Sequence, residues 1–138
     1  MLPRQRLALR IAAVLALLTA ALHLYGQSHG FESTVPAEQE MIRQATTVRM
    51  QLPGGTERTL MDFVDGFGLI FTVFLGVTAA MAFLVARRAP SDPALANAIA
   101  RMLAAAYIVL TVVSLAKFFI VPTICIAAVA IALIAAII

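Results

Sequence analysis

The sequence predicts an all-α membrane protein: a four-helix bundle with an amphipathic helix in the extracytoplasmic loop between helices one and two. Three observations carry this. The 138 residues are 62% hydrophobic and only 12% charged, with a mean hydropathy of +0.99. Soluble domains have about 45–50% apolar and about 25% charged residues, and a core this small cannot hide such an excess. Second, four apolar runs cover about 7–25, 60–85, 95–117 and 121–138. Roughly 20 apolar residues cross a bilayer. Third, the charges collect between and beside these runs. They form no basic stripe, and no nucleic-acid motif accompanies them, so no nucleic-acid partner is expected. The chain reads as a single transmembrane domain over residues 1–138 with an outer loop at 26–59.

The first run follows a basic start at Arg4, Arg6 and Arg10. A signal peptide is the rival reading, with Thr19-Ala20-Ala21 as a weak cleavage site; the run is read as a retained helix. His23 lies near its far end. An interfacial histidine is the plain reading, and a proton carrier or ligand is the functional one. His29 is six residues on, with no third ligand, which is a poor metal site. No metal and no cofactor are expected.

Residues 27–58 are the long polar segment. Ser33 or Thr34 can cap a helix, Pro36 fits its first turn, and Glu38 and Glu40 suit its positive end. Met41, Ala45, Val48 and Leu52 then share a face, with Arg43 and Arg49 off it. The reading is a helix on the membrane surface or across the bundle's outer ends. Pro53-Gly54-Gly55 stops it. No Gly-Lys-Ser/Thr follows, so this is not a phosphate loop.

Thr59-Leu-Met-Asp62 fits the reciprocal capping pattern that opens the second span. Asp65 lies a turn further in, on the side of Gly68 and Thr72. Gly68, Thr72, Gly76 and Ala80 are four apart, a small-residue seam that lets a helix approach closely where lipid supplies no hydrophobic force. Ala89 to Pro93 is a turn, with Ser91 or Asp92 as the next cap. In the third span Tyr107, Thr111 and Ser114 form a polar stripe that Lys117 nearly continues. Such a stripe bonds a neighbouring helix or lines a cavity. Pro122 suits the first turn of the last helix. Cys125, the single cysteine, sits between isoleucines and reads as a packing residue.

Arg4, Arg6, Arg10, Arg87, Arg88 and Arg101 fall on one side; Arg43, Arg49, Arg58 and Lys117 fall on the other. The positive-inside rule then places both termini in the cytoplasm. His23, Asp62, Asp65 and Lys117 become a polar cluster at the outer end. Asp65 is expected to be buried there and hydrogen-bonded to Lys117 or His23, because a lone carboxylate at that depth is costly.

Met61-Asp-Phe-Val-Asp-Gly-Phe-Gly-Leu69 and Phe118-Phe119-Ile-Val-Pro122 resemble motifs of a family of small uncharacterised bacterial four-helix inner-membrane proteins. Members open helix two with aromatic-Asp-Phe-aromatic-x-Gly-Phe-Gly-Leu; Met61 and Val64 depart from the aromatic positions. The resemblance implies a four-helix fold and a bacterial inner (plasma) membrane location, and it implies no activity. At fold level alone the chain is similar to DoxX-like proteins.

The functional reading is a non-enzymatic accessory subunit or a module that binds a small hydrophobic ligand. Its partners are the lipid bilayer and another membrane protein or a second copy. The sequence has no cysteine pair for quinone-linked disulfide chemistry, no facing histidine pair for haem and no nucleophile motif. The alternative is a membrane enzyme or carrier acting on a lipid or quinone through the His23, Asp65 and Lys117 cluster. A proton or ion path is the third reading, with no acid near the bilayer centre to serve it.

Overall fold

The computed structural model describes residues 2–138. Its elements are α1 (Pro3–Ser28), α2 (Pro36–Thr47), β1 (Arg49–Gln51), β2 (Glu57–Thr59), α3 (Leu60–Arg88), α4 (Pro93–Lys117) and α5 (Ile120–Ala135). Three of the helices, α1, α3 and α4, are long and apolar enough to cross a membrane. α5 has 16 residues. At a rise of about 1.5 Å per residue the helix alone is shorter than a hydrocarbon core of about 30 Å, and the apolar residues Phe118, Phe119 and Ala136 to Ile138 that flank it add to its apolar length.

The chain divides into two compact units: residues 1–22 with 73–138, and residues 23–72. The first unit holds the start of α1, the end of α3, and all of α4 and α5. Its buried face is built largely from alanine. Ala12 and Ala16 of α1, Ala82 and Ala86 of α3, and Ala96, Ala100 and Ala104 of α4 are buried. Leu9, Leu75, Tyr107 and Leu133 are buried beside them, but many bulky side chains face outward: Leu17, Val109, Val112 and Ile131 are each at least 60% exposed. A water-soluble protein would bury its large apolar groups and expose its small ones. The inverse arrangement suits a chain solvated by lipid, where small residues let helices close on each other and large ones meet acyl chains. Three long apolar helices and this arrangement are compatible with an integral membrane protein.

Within this unit α4 packs on α5. Ser114 and Thr123 join them by a buried hydroxyl pair at 2.9 Å. Phe74 of α3 stacks on Tyr107 of α4, with ring centroids 6.5 Å apart. The turn between α3 and α4 is closed by Asp92, whose carboxylate accepts from the Leu95 amide at 3.0 Å, with Pro93 in the first turn. That is the cap the sequence offers.

The second unit departs from expectation in its middle. α2 ends at Thr47, not near Pro53. Val48 is extended, and residues 49–51 pair antiparallel with 57–59 in the register Arg49↔Thr59, Met50↔Arg58, Gln51↔Glu57. Val48 and Leu52 therefore do not extend a helical face with Met41 and Ala45. The reason is local. Thr46, Thr47 and Val48 are β-branched and resist helix, and Gly54 and Gly55 take φ of +91° and +77°, which closes a hairpin. The N-cap of α2 is Val35, with no side-chain bond. Ser33 acts one step earlier: its hydroxyl accepts from the Val35 amide and donates to Glu38.

Candidate functional site

Thr59 ends β2 and starts α3. Its amide donates to Asp62 Oδ2 at 2.7 Å, and the Asp62 amide donates back to Thr59 Oγ1 at 3.1 Å. Asp62 is thus engaged as the second half of a capping box.

Further along, α3 meets α1. His23 Nδ1 lies 2.9 Å from Thr72 Oγ1, and Thr72 Oγ1 donates to the Gly68 carbonyl at 3.0 Å. A hydroxyl has one proton. With that proton on Gly68, the bond from the ring must be donated by Nδ1. The network therefore assigns the Nδ1–H tautomer to neutral His23 and leaves Nε2 as its acceptor. Phe71 packs edge-on against the imidazole at 5.2 Å.

Gln27, a turn beyond His23 on α1, completes the contact. Its Nε2 donates to the Asp65 carbonyl at 3.3 Å, while its Oε1 is shielded from solvent and unbonded. A Cβ on Gly68 would stand 1.7 Å from Gln27 Nε2. Gly68 is therefore the position at which α3 makes room for Gln27. Gln27 is not among the residues that local sequence patterns single out. A glutamine four residues after His23 on the same helix face is the signal that pairs them.

The predicted cluster comes together only in part. His23 and Asp62 are bonded, but to Thr72 and Thr59, not to each other. Asp65 is exposed, not buried; its backbone carbonyl, not its carboxylate, is the group that α1 holds. The correction follows from helix geometry. Gly68 and Thr72 point at α1, and Asp65 is three residues before Gly68, so its side chain is turned by about 60° from the Gly68 direction at roughly 100° per residue. Lys117 belongs to the other unit, is exposed, and joins no ion pair among the described residues.

The seam is corrected in the same way. Gly68 and Thr72 pack as expected, but Gly76 has no neighbour within 4 Å of a built Cβ and Ala80 is exposed. The buried face of α3 continues instead through Leu75, Thr78, Ala79, Ala82, Val85 and Ala86. A strict four-residue spacing drifts about 40° per step around a helix of 3.6 residues per turn. By Ala80 the row has turned off the contact; alternating steps of four and three hold it.

The polar stripe of α4 divides similarly. Ser114 bonds Thr123, and Thr111 Oγ1 donates to the Tyr107 carbonyl at 2.7 Å. Tyr107 is fully buried, and its hydroxyl makes no hydrogen bond. Cys125 is half-buried on α5 with a free thiol. Among the described residues no three His, Cys, Asp or Glu side chains gather as metal ligands.

The site so built is a hydrogen-bonded junction of two apolar helices. Comparison with family models, with curated proteins and with solved structures finds no match to this chain.

Proposed function

We propose that the protein is a four-span bundle of the bacterial inner membrane, with both termini cytoplasmic and α2 on the outer face. In this reading it acts as an accessory subunit or as a module that holds a small hydrophobic ligand. The observation that carries the ligand half is a groove in the first unit. Ala8, Ile11 and Leu15 of α1 and Ala128, Ile131, Ala132 and Ala135 of α5 line an open, almost wholly apolar space of about 340 Å³. That volume lies at the low end of ligand pockets and suits a single acyl or prenyl chain. The alanines on both walls create it, since larger side chains would fill it. The two motifs at residues 61–69 and 118–122 support the four-helix layout by resemblance.

Enzymatic chemistry on a lipid or quinone has less support. Asp62 is engaged in its cap, the Asp65 carboxylate is exposed, and His23 is tied to Thr72. The test is extraction of the protein in mild detergent, followed by mass spectrometry of whatever copurifies. Ala132→Phe fills the groove. A bound apolar molecule in the natural protein and its loss in the variant support the proposal. Equal retention in both, or none in either with equal uptake of an added acyl probe, overturns it.

A further inference from the structure

The charges of the two units are opposite. The first unit carries Arg4, Arg6, Arg10, Arg87, Arg88, Arg101 and Lys117 against Asp92 alone, seven basic residues to one acid and a net +6. The second carries three basic residues and six acids, a net −3, and the two together give the chain's +3. Six of the seven cations of the first unit, all arginines, lie towards one end of the helices. α3 ends at Arg87 and Arg88, and α4 starts a short turn later with Arg101 two turns in. α1 and α3 run antiparallel, because His23 meets Thr72 while Gln27, further along α1, meets Asp65, earlier on α3. The start of α1, with Arg4, Arg6 and Arg10, therefore lies at the same end as the close of α3.

These arginines lack protein anions. Among the described residues the one ion pair is Arg43 with Glu40, in the other unit. Asp92 accepts the Leu95 amide of its own cap. Arg6 is half-buried, and its Nε is shielded from solvent with no hydrogen-bond partner. Arg87 lies 6.0 Å above the Phe83 ring and has no carboxylate. A guanidinium is suited to bidentate contact with phosphate oxygens. Around these cations the helices present large apolar side chains: Leu7, Leu84 and Met102 are 58%, 55% and 72% exposed. A ligand that satisfies both features has a phosphate and an acyl chain.

We infer that the arginine-bearing end of α1, α3 and α4 is a binding surface for anionic phospholipid, with Arg6 and Arg10 on one face of α1 as its centre. The inference is independent of the groove between α1 and α5 and of any ligand there. Each arginine near an anionic lipid surface contributes about fivefold in affinity.

The experiment is native mass spectrometry of the purified chain in mild detergent, titrated with phosphatidylglycerol or phosphatidylcholine of identical acyl chains. Phosphatidylglycerol should bind more tightly. Arg6→Gln with Arg10→Gln should abolish most of that preference, by about fivefold for each arginine, and Arg43→Gln should leave it unchanged. Circular dichroism checks that the double variant folds; if it does not, the preference of the natural chain decides alone. Equal binding of the two lipids overturns the inference. So does displacement of phosphatidylglycerol by inorganic phosphate or by a short RNA, or loss of the preference in Arg43→Gln.

Discussion

Breaking the Ser114–Thr123 pair should uncouple α4 from α5 by a small, measurable amount. Ser114 is 1% exposed and Thr123 5%. Thr123 Oγ1 donates to the Phe119 carbonyl at 3.1 Å. Its one proton is therefore used, and Ser114 must be the donor in the 2.9 Å bond between the hydroxyls. Ser114→Ala removes that donor and leaves Thr123 with its own bond intact. Thr123→Val keeps the shape and strands the Ser114 hydroxyl, which can then turn to a carbonyl of its own helix. Interhelical hydrogen bonds in membranes average about 0.6 kcal/mol with a ceiling near ~1.7 kcal/mol. The coupling in a double-mutant cycle should fall in that range. The cycle cancels the few tenths of a kcal/mol by which alanine favours a helix over serine. Reversible unfolding in mixed micelles, read by far-UV circular dichroism on all four proteins, measures it. A coupling indistinguishable from zero would show that this pair does not join the helices.

Two further predictions concern single positions. Gly76→Ala should stabilise the protein by up to about 1 kcal/mol, because the position is helical and open and glycine is the poorer helix former. Gly68→Ala should instead displace Gln27 and break its bond to the Asp65 carbonyl, lowering the melting temperature in the same assay. Glu40 is held down to about 2 by the hydrogen bonds from Arg43, with Nε and Nη2 at 2.7 and 2.6 Å. A depressed carboxylate contributes stability above its unfolded pKa and loses it as pH falls through the folded one. The protection factor of the α2 amides, taken relative to the intrinsic exchange rate at each pH, should therefore fall as pH drops from the ordinary carboxylate range, about 4.3, towards 2. Arg43→Gln should remove that dependence; a protection factor unchanged across the range would refute it.

What was legible in the sequence is what is local. The Thr59–Asp62 box, the Asp92 cap and the long apolar helices each depend on residues a few positions apart. The hairpin was legible too, in the β-branched run before a Gly-Gly pair, but the apolar spacing of Met41, Ala45 and Val48 read more strongly as helix. The site depended on what local patterns do not contain. Gln27 matters because Gly68 lies beneath it, and the two are forty-one positions apart. Asp65 shares a broad side of α3 with Gly68 and Thr72, but the remaining angle of about 60° around the helix turns its carboxylate off the contact. The packed face of α3 follows 3.6 residues per turn, and a four-residue seam can match it only over the first steps.

The threading of the chain is the central claim, and cysteine labelling tests it most directly. In a Cys125→Ser background, Gly54→Cys and Ile138→Cys are each exposed to a membrane-impermeant thiol reagent, on intact cells and on inverted vesicles. Gly54→Cys should label from the outside of cells and Ile138→Cys only in inverted vesicles. Labelling of both positions from the same side would contradict four spans with cytoplasmic termini.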